Sequence, residues 1–303
     1  MITFRTILCP VDGSSFSQRA LRHAMALAKT SGAEVVVMTV RPVALPPSLW
    51  LTRESAVPVE EPDGRSRALD SLRSFVREAT GVEPGRTFIV DGSVVPAILD
   101  MAVALPADVI VMGTHGLTGF DRLILGSVTE KILRKARCPV LTIPRLAPDA
   151  TEPSETRFGR IVCGVDRSAA SHRALEYALS IARQSSTGEL VLVHVLEDIS
   201  AEEPKFASHF NMEECWRAIA PEICASYEAM VPADERQSVK VDVRVPFGKA
   251  YKELLKAASE SGADLIVLGT AGWYAPFGAT TQHVVREAAC PVMTVPAPGT
   301  GKP

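Results

Sequence analysis

The chain has 303 residues, a formal net charge of −3 and a hydrophobic fraction of 47%. This length suggests two domains of ordinary size, and the composition is that of a globular protein. The charge gives no electrostatic case for nucleic-acid binding. The apolar runs have only strand length and the amino terminus lacks the features of a signal peptide, so we expect no membrane span and a cytoplasmic location. Six cysteines without C-x-x-C spacing form no disulfide framework, and Cys9, Cys138, Cys163 and Cys290, in or beside apolar strands, are predicted to be small core residues.

In chain order, the apolar run TILCPV predicts a first strand. Ser14 is predicted to cap the helix that follows, whose apolar residues recur at helical spacing and which ends at Gly32. The run EVVVMTV predicts a second strand, and the Pro-rich segment 41–64 predicts a long loop that acts as a lid or partner surface. The pattern then predicts a helix over about 65–80, the strand RTFIVDG, the helix VVPAILDMAVAL, the strand ADVIVMG, a glycine-rich loop, a helix and the strand CPVLTIP.

The chain repeats itself. FRTILCPVDGSSFSQRAL recurs 154 residues later as FGRIVCGVDRSAASHRAL, and ADVIVMGTHG recurs 156 residues later as ADLIVLGTAG. CPVLTIP recurs 152 residues later as CPVMTVP. We therefore expect a first domain over residues 1–146, a polar linker over 147–157 and a second domain over 158–298. Strands that alternate with helices predict an α/β fold: two repeats of a doubly wound, five-stranded parallel sheet.

The loop GTHGLTGFDRLILGSV has glycines at 113, 116 and 126, followed by Ser127. Amide hydrogens without partners and the helix dipole make the following helix N-terminus a natural phosphate site. Glycines keep side chains away from that backbone. The loop that contains Asp12 and the end of the second strand should open on the same crevice, where Val11 and Val40 can flank a base. Neither a Walker A loop nor a dinucleotide fingerprint is present in the sequence.

The spacing Gly113-x-x-Gly116, nine residues, Gly126-Ser127, with PVDGS and CPVLTIP, resembles the universal stress protein family in its tandem form. The resemblance covers nearly the whole chain and implies an adenine nucleotide alpha hydrolase-like fold, with ATP and Mg²⁺ as ligands. The nucleotide site that it implies, with the neighbouring Val11, Met112 and His115 added, consists of Val11, Asp12, Val40, Met112, Gly113, His115, Gly116, Gly126, Ser127 and Val128. Asp12 is the candidate to hold Mg²⁺ through water. Some members of the family bind no ATP, so each half is assessed separately.

The second half departs from this pattern. Gly269 and Gly272 are present, but only five residues separate Gly272 from Gly278, and Ala279 stands in place of the serine. The bulky Trp273, Tyr274 and Phe277 crowd the loop. We therefore expect an intact motif in the first half and a degenerate one in the second; the alternative is that Trp273 or Tyr274 stacks on a different ligand.

Several roles stay open at this point. Asp12 either contacts the nucleotide or only caps the first helix, and His115 either touches phosphate or is an ordinary loop residue. Three functions are compatible with the sequence: a nucleotide-dependent stress-response regulator with at most slow hydrolysis, a Mg²⁺-dependent ATPase that uses Asp12 and His115, and an interaction scaffold with empty pockets.

The last strand of each half, Val140–Ile143 and Val292–Val295, would lie at a sheet edge, and exposed apolar edges are normally covered. In the family that this chain resembles, such strands pair between domains or subunits. We expect the two halves to pair through them, or a homodimer to form. No nucleic acid or membrane partner is expected.

Overall fold

The computed structural model describes residues 2–42, 62–83, 85–115, 125–148, 158–185, 188–197, 212–270 and 278–299. Most of the Pro-rich segment, most of the linker, Gly116 and the aromatic residues at 273, 274 and 277 lie outside these residues, so the predictions made for them stay predictions.

The first half has five strands and four helices among the described residues. They are β1 (Thr6–Pro10), α1 (Ser15–Ser31), β2 (Glu34–Arg41), α2 (Pro62–Thr80), β3 (Arg86–Asp91), α3 (Val94–Ala104), β4 (Val109–Gly113), α4 (Ser127–Lys135) and β5 (Val140–Ile143). The order is the predicted one. Helix α2 begins a few residues earlier than predicted, because proline is well tolerated in the first turn of a helix.

The second half repeats this order. Its described elements are β6 (Arg160–Gly164), α5 (Ala169–Ala182), β7 (Glu189–Val193), α6 (Met212–Met230), α7 (Glu235–Ser238), β8 (Lys240–Arg244), α8 (Ala250–Ser261), β9 (Leu265–Thr270), α9 (Ala279–Glu287) and β10 (Val292–Pro296). The short helix α7 has no counterpart among the described elements of the first half.

All ten described strands form one sheet in the order β3-β2-β1-β4-β5-β10-β9-β6-β7-β8. Within each half all pairings are parallel. The prediction of two doubly wound repeats, each with five parallel strands, is therefore confirmed, and the two repeats share one continuous sheet. In the first half the strand order reverses between β1 and β4, which is where such folds place their ligands.

Apolar side chains cover both faces of the sheet. Ile7 and Cys9 of β1 pack on the face that carries α1 and α5, whereas Leu8 packs on the face that carries α3 and α4. This alternation is the ordinary geometry of a strand that is buried on both sides. It explains why the predicted strands are continuous apolar runs in the sequence.

Helix α1 follows its sequence signals closely. The Ser14 hydroxyl accepts a hydrogen bond from the amide of Ser17, and Gly32 closes the helix with a left-handed φ of 74°. The predicted apolar face is buried along its length, and it consists of Ala20, Leu21, Ala24, Leu27 and Ala28. The amino-terminal cap, the apolar face and the terminating glycine of this helix are all confirmed.

The two halves join through their last strands, as predicted. β5 and β10 are antiparallel, with Leu141 opposite Met293 and Val140 opposite Thr294. The Thr142 hydroxyl donates to the carbonyl oxygen of Val292 at 3.0 Å across the junction. Since β5 also pairs with β4, and β10 with β9, neither last strand keeps an open edge. A homodimer would need a different surface.

The four cysteines in or beside the predicted strands are packed as predicted. Cys9, Cys163 and Cys290 are buried and Cys138 is half-buried. Burial raises the pKa of each of these four thiols to about 12. A thiol with so high a pKa has almost no thiolate near neutral pH, and it is the thiolate that reacts.

We expect iodoacetamide to leave Cys9, Cys163 and Cys290 unmodified in the folded protein at mildly alkaline pH, because these thiols are both buried and protonated. Mass spectrometry of tryptic peptides measures the modification, and the same reaction in guanidinium chloride is the control, in which all three should react. Rapid labelling of these cysteines in the folded protein would contradict the packing.

Candidate functional site

A cavity of about 290 Å³ lies at the carboxyl ends of β1 and β4. Nine of the ten residues that the sequence analysis assigned to the site line this cavity, and the tenth, Gly116, lies outside the described residues. The nine are Val11, Asp12, Val40, Met112, Gly113, His115, Gly126, Ser127 and Val128. Residues from four separate parts of the first half therefore converge on one concave surface.

Helix α3 contributes a wall that sequence reasoning missed. Val94 and Ile98 line the cavity together with Pro10, Ser17 and Thr129. The apolar spacing of α3 marks it as a packed helix, but spacing alone does not show that two of its side chains face a ligand cavity instead of a filled core. The result is an apolar interior that opens toward the polar start of α4.

The first turn of α4 points amide hydrogens at the cavity. The amide of Gly126 donates to the carbonyl oxygen of Thr114 at 2.9 Å, and the first bond within the helix runs from Glu130 to Gly126. The amides of Ser127, Val128 and Thr129 have no partner within the helix, as in the first turn of any α-helix. Together with the exposed Ser127 hydroxyl they form a cluster of donors at the positive end of the helix dipole.

The glycines at 113 and 126 have a structural reason that differs from the one inferred from sequence. A Cβ atom at Gly113 would lie 3.2 Å from the Cβ of Phe16, and one at Gly126 would lie 3.1 Å from the carbonyl oxygen of Thr114. A side chain at either position would therefore force neighbouring atoms to move by a few tenths of an ångström. The hydroxyl of Thr129 donates to the carbonyl oxygen of Gly113 at 3.0 Å and fixes the helix start against the strand end.

Asp12 has a structural role as well as a place in the cavity wall. Its Oδ1 accepts hydrogen bonds from the amide and the hydroxyl of Ser14, at 3.0 and 2.6 Å. Ser14 in turn caps α1. The same arrangement recurs in the second half, where Asp166 accepts from the amide of Ser168, the cap of α5. Asp12 thus supports the helix cap, and its exposed side chain also lines the cavity.

His115 is held beside the cavity by its neighbours. Its Nδ1 lies 3.0 Å from the Thr114 hydroxyl, and its ring centre lies 5.6 Å from that of Phe16. Its Nε2 is buried and, among the described residues, has no hydrogen-bond partner. A buried ring nitrogen without a partner at the edge of a cavity is the kind of group that a bound polar ligand satisfies.

The corresponding positions of the second half are chemically different. His194 stands where the first half has Thr39, and its Nδ1 lies 3.0 Å from the hydroxyl of Tyr227 and 2.9 Å from the carbonyl oxygen of Val165. Burial opposes ionisation of Asp166, yet the hydrogen bonds from Ser168 outweigh it and hold the pKa of this carboxyl below its usual range. Aligning the two repeats would have revealed the change from Thr39 to His194, next to a valine that both halves keep, Val40 and Val195.

Neither a metal cluster nor a membrane span emerges from the part of the chain that the structure describes. Within it, no three His, Cys, Asp or Glu side chains come together as a metal-binding group. No described helix is long and apolar enough to cross a bilayer.

The fold and the cavity define the class: a doubly wound α/β protein with a ligand-sized cavity at the point where its strand order reverses. The model of the universal stress protein family matches residues 3–144 and again residues 157–296. The chain therefore belongs to the universal stress protein family, and it contains two matches to the family's domain.

Individual relatives agree with this assignment. A universal stress protein of Methanocaldococcus jannaschii is 33% identical over 144 residues, which are 47% of this chain and 83% of that protein. One of Mycolicibacterium smegmatis is 27% identical over 300 residues, 95% of this chain and 96% of that protein. The crystal structure of a universal stress protein from Archaeoglobus fulgidus has a TM-score of 0.67 at 21% identity, and covers 96% of this chain and 98% of that one.

Proposed function

We propose that the first half binds ATP with Mg²⁺, and that the protein is a nucleotide-dependent regulator of the stress response that acts by changing its shape or its partners. The observation that carries this proposal is the convergence of nine residues, chosen from sequence spacing, on one cavity beside the open first turn of α4. We also propose the domain limits 1–146 and 158–298, with 147–157 as the linker.

The chemistry of the cavity suits a nucleotide. Val11, Val40 and Met112 offer an apolar surface for a base, while the amides of Ser127 and Val128 offer donors for phosphate oxygens. The volume of about 290 Å³, formed by the described residues alone, is close to the lower end of the range for ligand sites, about 300–1,000 Å³. The unpartnered Nε2 of His115 adds a polar group that a charged ligand can pair with.

The second half is proposed to have lost this activity. A helix that begins with Ala279 offers no hydroxyl where the first half has Ser127. Val195 keeps the apolar position of Val40, so the proposed loss rests on Ala279 and on the loop between Gly272 and Gly278, which is four residues shorter than its counterpart in the first half. We therefore assign one functional nucleotide site to the chain.

Turnover is proposed to be slow. Oδ1 of Asp12 already accepts two hydrogen bonds from Ser14, which makes this oxygen a poor base for activating water. Steady-state assays should show no sustained release of phosphate beyond the ATP that is already bound. Continuous cycling at enzyme-like rates would favour the alternative, a Mg²⁺-dependent ATPase.

Thermal unfolding with and without ATP–Mg²⁺ tests binding itself. A ligand present at a hundred times its Kd adds about 2.7 kcal/mol of stability, so the melting temperature should rise clearly. Mass spectrometry of the small molecules released from the purified protein identifies the nucleotide. An unchanged melting temperature at millimolar ATP would contradict the proposal and support a scaffold with an empty cavity.

A further inference from the structure

A second, larger cavity begins beside the candidate nucleotide site on the sheet face that carries α3 and α4, and it reaches past the amino ends of β4 and β5 to α5 on the other face. It has a volume of about 1260 Å³ and runs between α3 and α4, with α5 of the second half at one end. We call it the α3–α4 groove. Its defining residues are Val95, Leu99, Val103, Lys131, Lys135, Arg137, Arg173 and Tyr177.

The floor of the groove is apolar. Val95, Leu99 and Val103 recur every four residues along α3, so they form one stripe on the helix surface. Val103 is 59% exposed, which is unusual for a valine beside other apolar side chains. An exposed apolar stripe in a concave surface is typical of a docking site for another molecule.

The rim of the groove on the α4 side is cationic. Lys131, Lys135 and Arg137 are exposed, and within the described ranges none of them pairs with a carboxylate. Lys131 and Lys135 are one turn apart and therefore point the same way. This concentration of positive charge stands on a chain whose net charge is −3.

The groove also contains two carboxylates. Oδ2 of Asp108 accepts hydrogen bonds from the amides of Arg5 and Thr6, so this charge is directed at the backbone. Asp100 lies on the α3 side. With Arg173 included, four cations face two carboxylates, and the groove favours an anionic occupant.

The equivalent helix pair of the second half lacks these features. His283 and Glu287 stand where the first half has Lys131 and Lys135. Nδ1 of His283 lies 3.1 Å from Oε1 of Glu287. Tyr251 stands where the first half has Val95, and its ring stacks on His283 with centres 4.3 Å apart. Among the described residues of the second half, a charge pair and an aromatic stack thus take the place of the two lysines and the valine of the first half.

The internal symmetry also shows how Arg173 is held. Arg19 is the counterpart of Arg173, and it donates to the carbonyl oxygens of Arg145 and Ala147. Arg173 donates to the carbonyl oxygen of Pro296 at 3.0 Å. At both positions this arginine binds main-chain carbonyl groups of its own chain, so the cations left for an occupant are Lys131, Lys135 and Arg137.

We propose that the α3–α4 groove is the docking site for an acidic, amphipathic segment of a partner protein. Apolar side chains of the segment pack on Val95, Leu99 and Val103, while its carboxylates face Lys131, Lys135 and Arg137. The cavity suits a peptide better than a nucleic acid, since a large part of its lining is apolar and the chain carries no excess of positive charge.

The proposal gives the regulator a partner surface, but it does not require nucleotide binding. Val94 and Val128 line both the groove and the nucleotide cavity, so the two sites share the starts of α3 and α4. Docking is measured on protein freed of nucleotide, whereas nucleotide binding is measured by thermal unfolding without peptide. A failure of peptide docking can therefore be distinguished from a failure of nucleotide binding.

The test is selection from a random-peptide library on the full chain, followed by affinity measurement of the enriched peptides by fluorescence anisotropy. The test variant is Lys131→Glu with Lys135→Glu. The matched control is Lys252→Glu with Lys256→Glu, which also reverses two exposed lysines one turn apart, on α8 of the second half. Circular dichroism verifies that both variants are folded.

We expect enriched sequences that combine Asp or Glu with apolar residues. Their affinity should fall at least about tenfold in the test variant, stay unchanged in the control, and weaken as salt is raised. The proposal is overturned if no sequence is enriched, if basic sequences are enriched, or if both variants lose affinity equally. Displacement of the peptides by a single-stranded oligonucleotide would also overturn it, in favour of a nucleic-acid surface.

Discussion

Gly126→Asp is expected to lower the affinity for ATP by at least about a hundredfold, because it places a carboxylate against the position proposed for the phosphates. Aspartate is among the preferred residues at a helix N-cap, and Gly126 has an ordinary φ of −57°, so α4 should still form once the Thr114 carbonyl group shifts by a few tenths of an ångström. Isothermal titration calorimetry measures the loss. Gly126→Asn has a similar size without the charge and should lose much less affinity.

The matched variant in the second half is Gly278→Asp. Gly278 caps α9 with nearly the same backbone angles as Gly126, and a Cβ atom there meets no other atom within 4 Å. Since the second half is proposed to bind no ATP, this change should leave the titration unaltered. Equal losses from Gly126→Asp and Gly278→Asp would show that the asymmetric assignment of the two halves is wrong.

Leu141→Ala should destabilise the whole protein by about 2–5 kcal/mol, the usual cost of truncating a fully buried leucine. Leu141 has no exposed surface and lies opposite Met293 where the two halves join. Because one sheet runs through both halves, we expect a single unfolding transition that shifts as a unit. Urea denaturation followed by circular dichroism measures both the shift and the number of transitions.

Leu146→Ala is the control for this experiment. Leu146 lies just after β5 and is 74% exposed, so the same truncation should change stability by no more than about 0.5 kcal/mol. Two separate transitions in the Leu141→Ala protein, with the second unchanged, would mean that the junction does not couple the two halves.

The repeat, the order of the elements and the details of α1 could be predicted from sequence because each rests on local signals. Ser14, Gly32 and the buried face between them act within a few residues of one another, so no knowledge of distant contacts is required. The pairing of the last strands followed from two other arguments: an apolar edge must be covered, and such strands pair in the family that the sequence resembles.

The remaining features depend on contacts between distant parts of the chain. Gly126 looked like a residue that clears space for phosphate, but its tight contact is with the carbonyl oxygen of Thr114. Val94 and Ile98 reach the cavity only because α3 packs beside α4. The α3–α4 groove joins α3 and α4 to α5, which begins more than thirty residues after α4 ends, and no local pattern predicts such a meeting.

The antiparallel junction of β5 and β10 reverses the direction of one half against the other, so the carboxyl ends of the two sets of parallel strands face opposite ends of the sheet. Two identical chains joined in this way would form a symmetric dimer, with the same residues at both ends of the sheet. Here a covalent link removes that constraint, and differences such as alanine at position 279 against serine at position 127 can accumulate at one end alone. The protein has the architecture of a symmetric dimer with the chemical freedom of a heterodimer, at a stoichiometry that dilution cannot change.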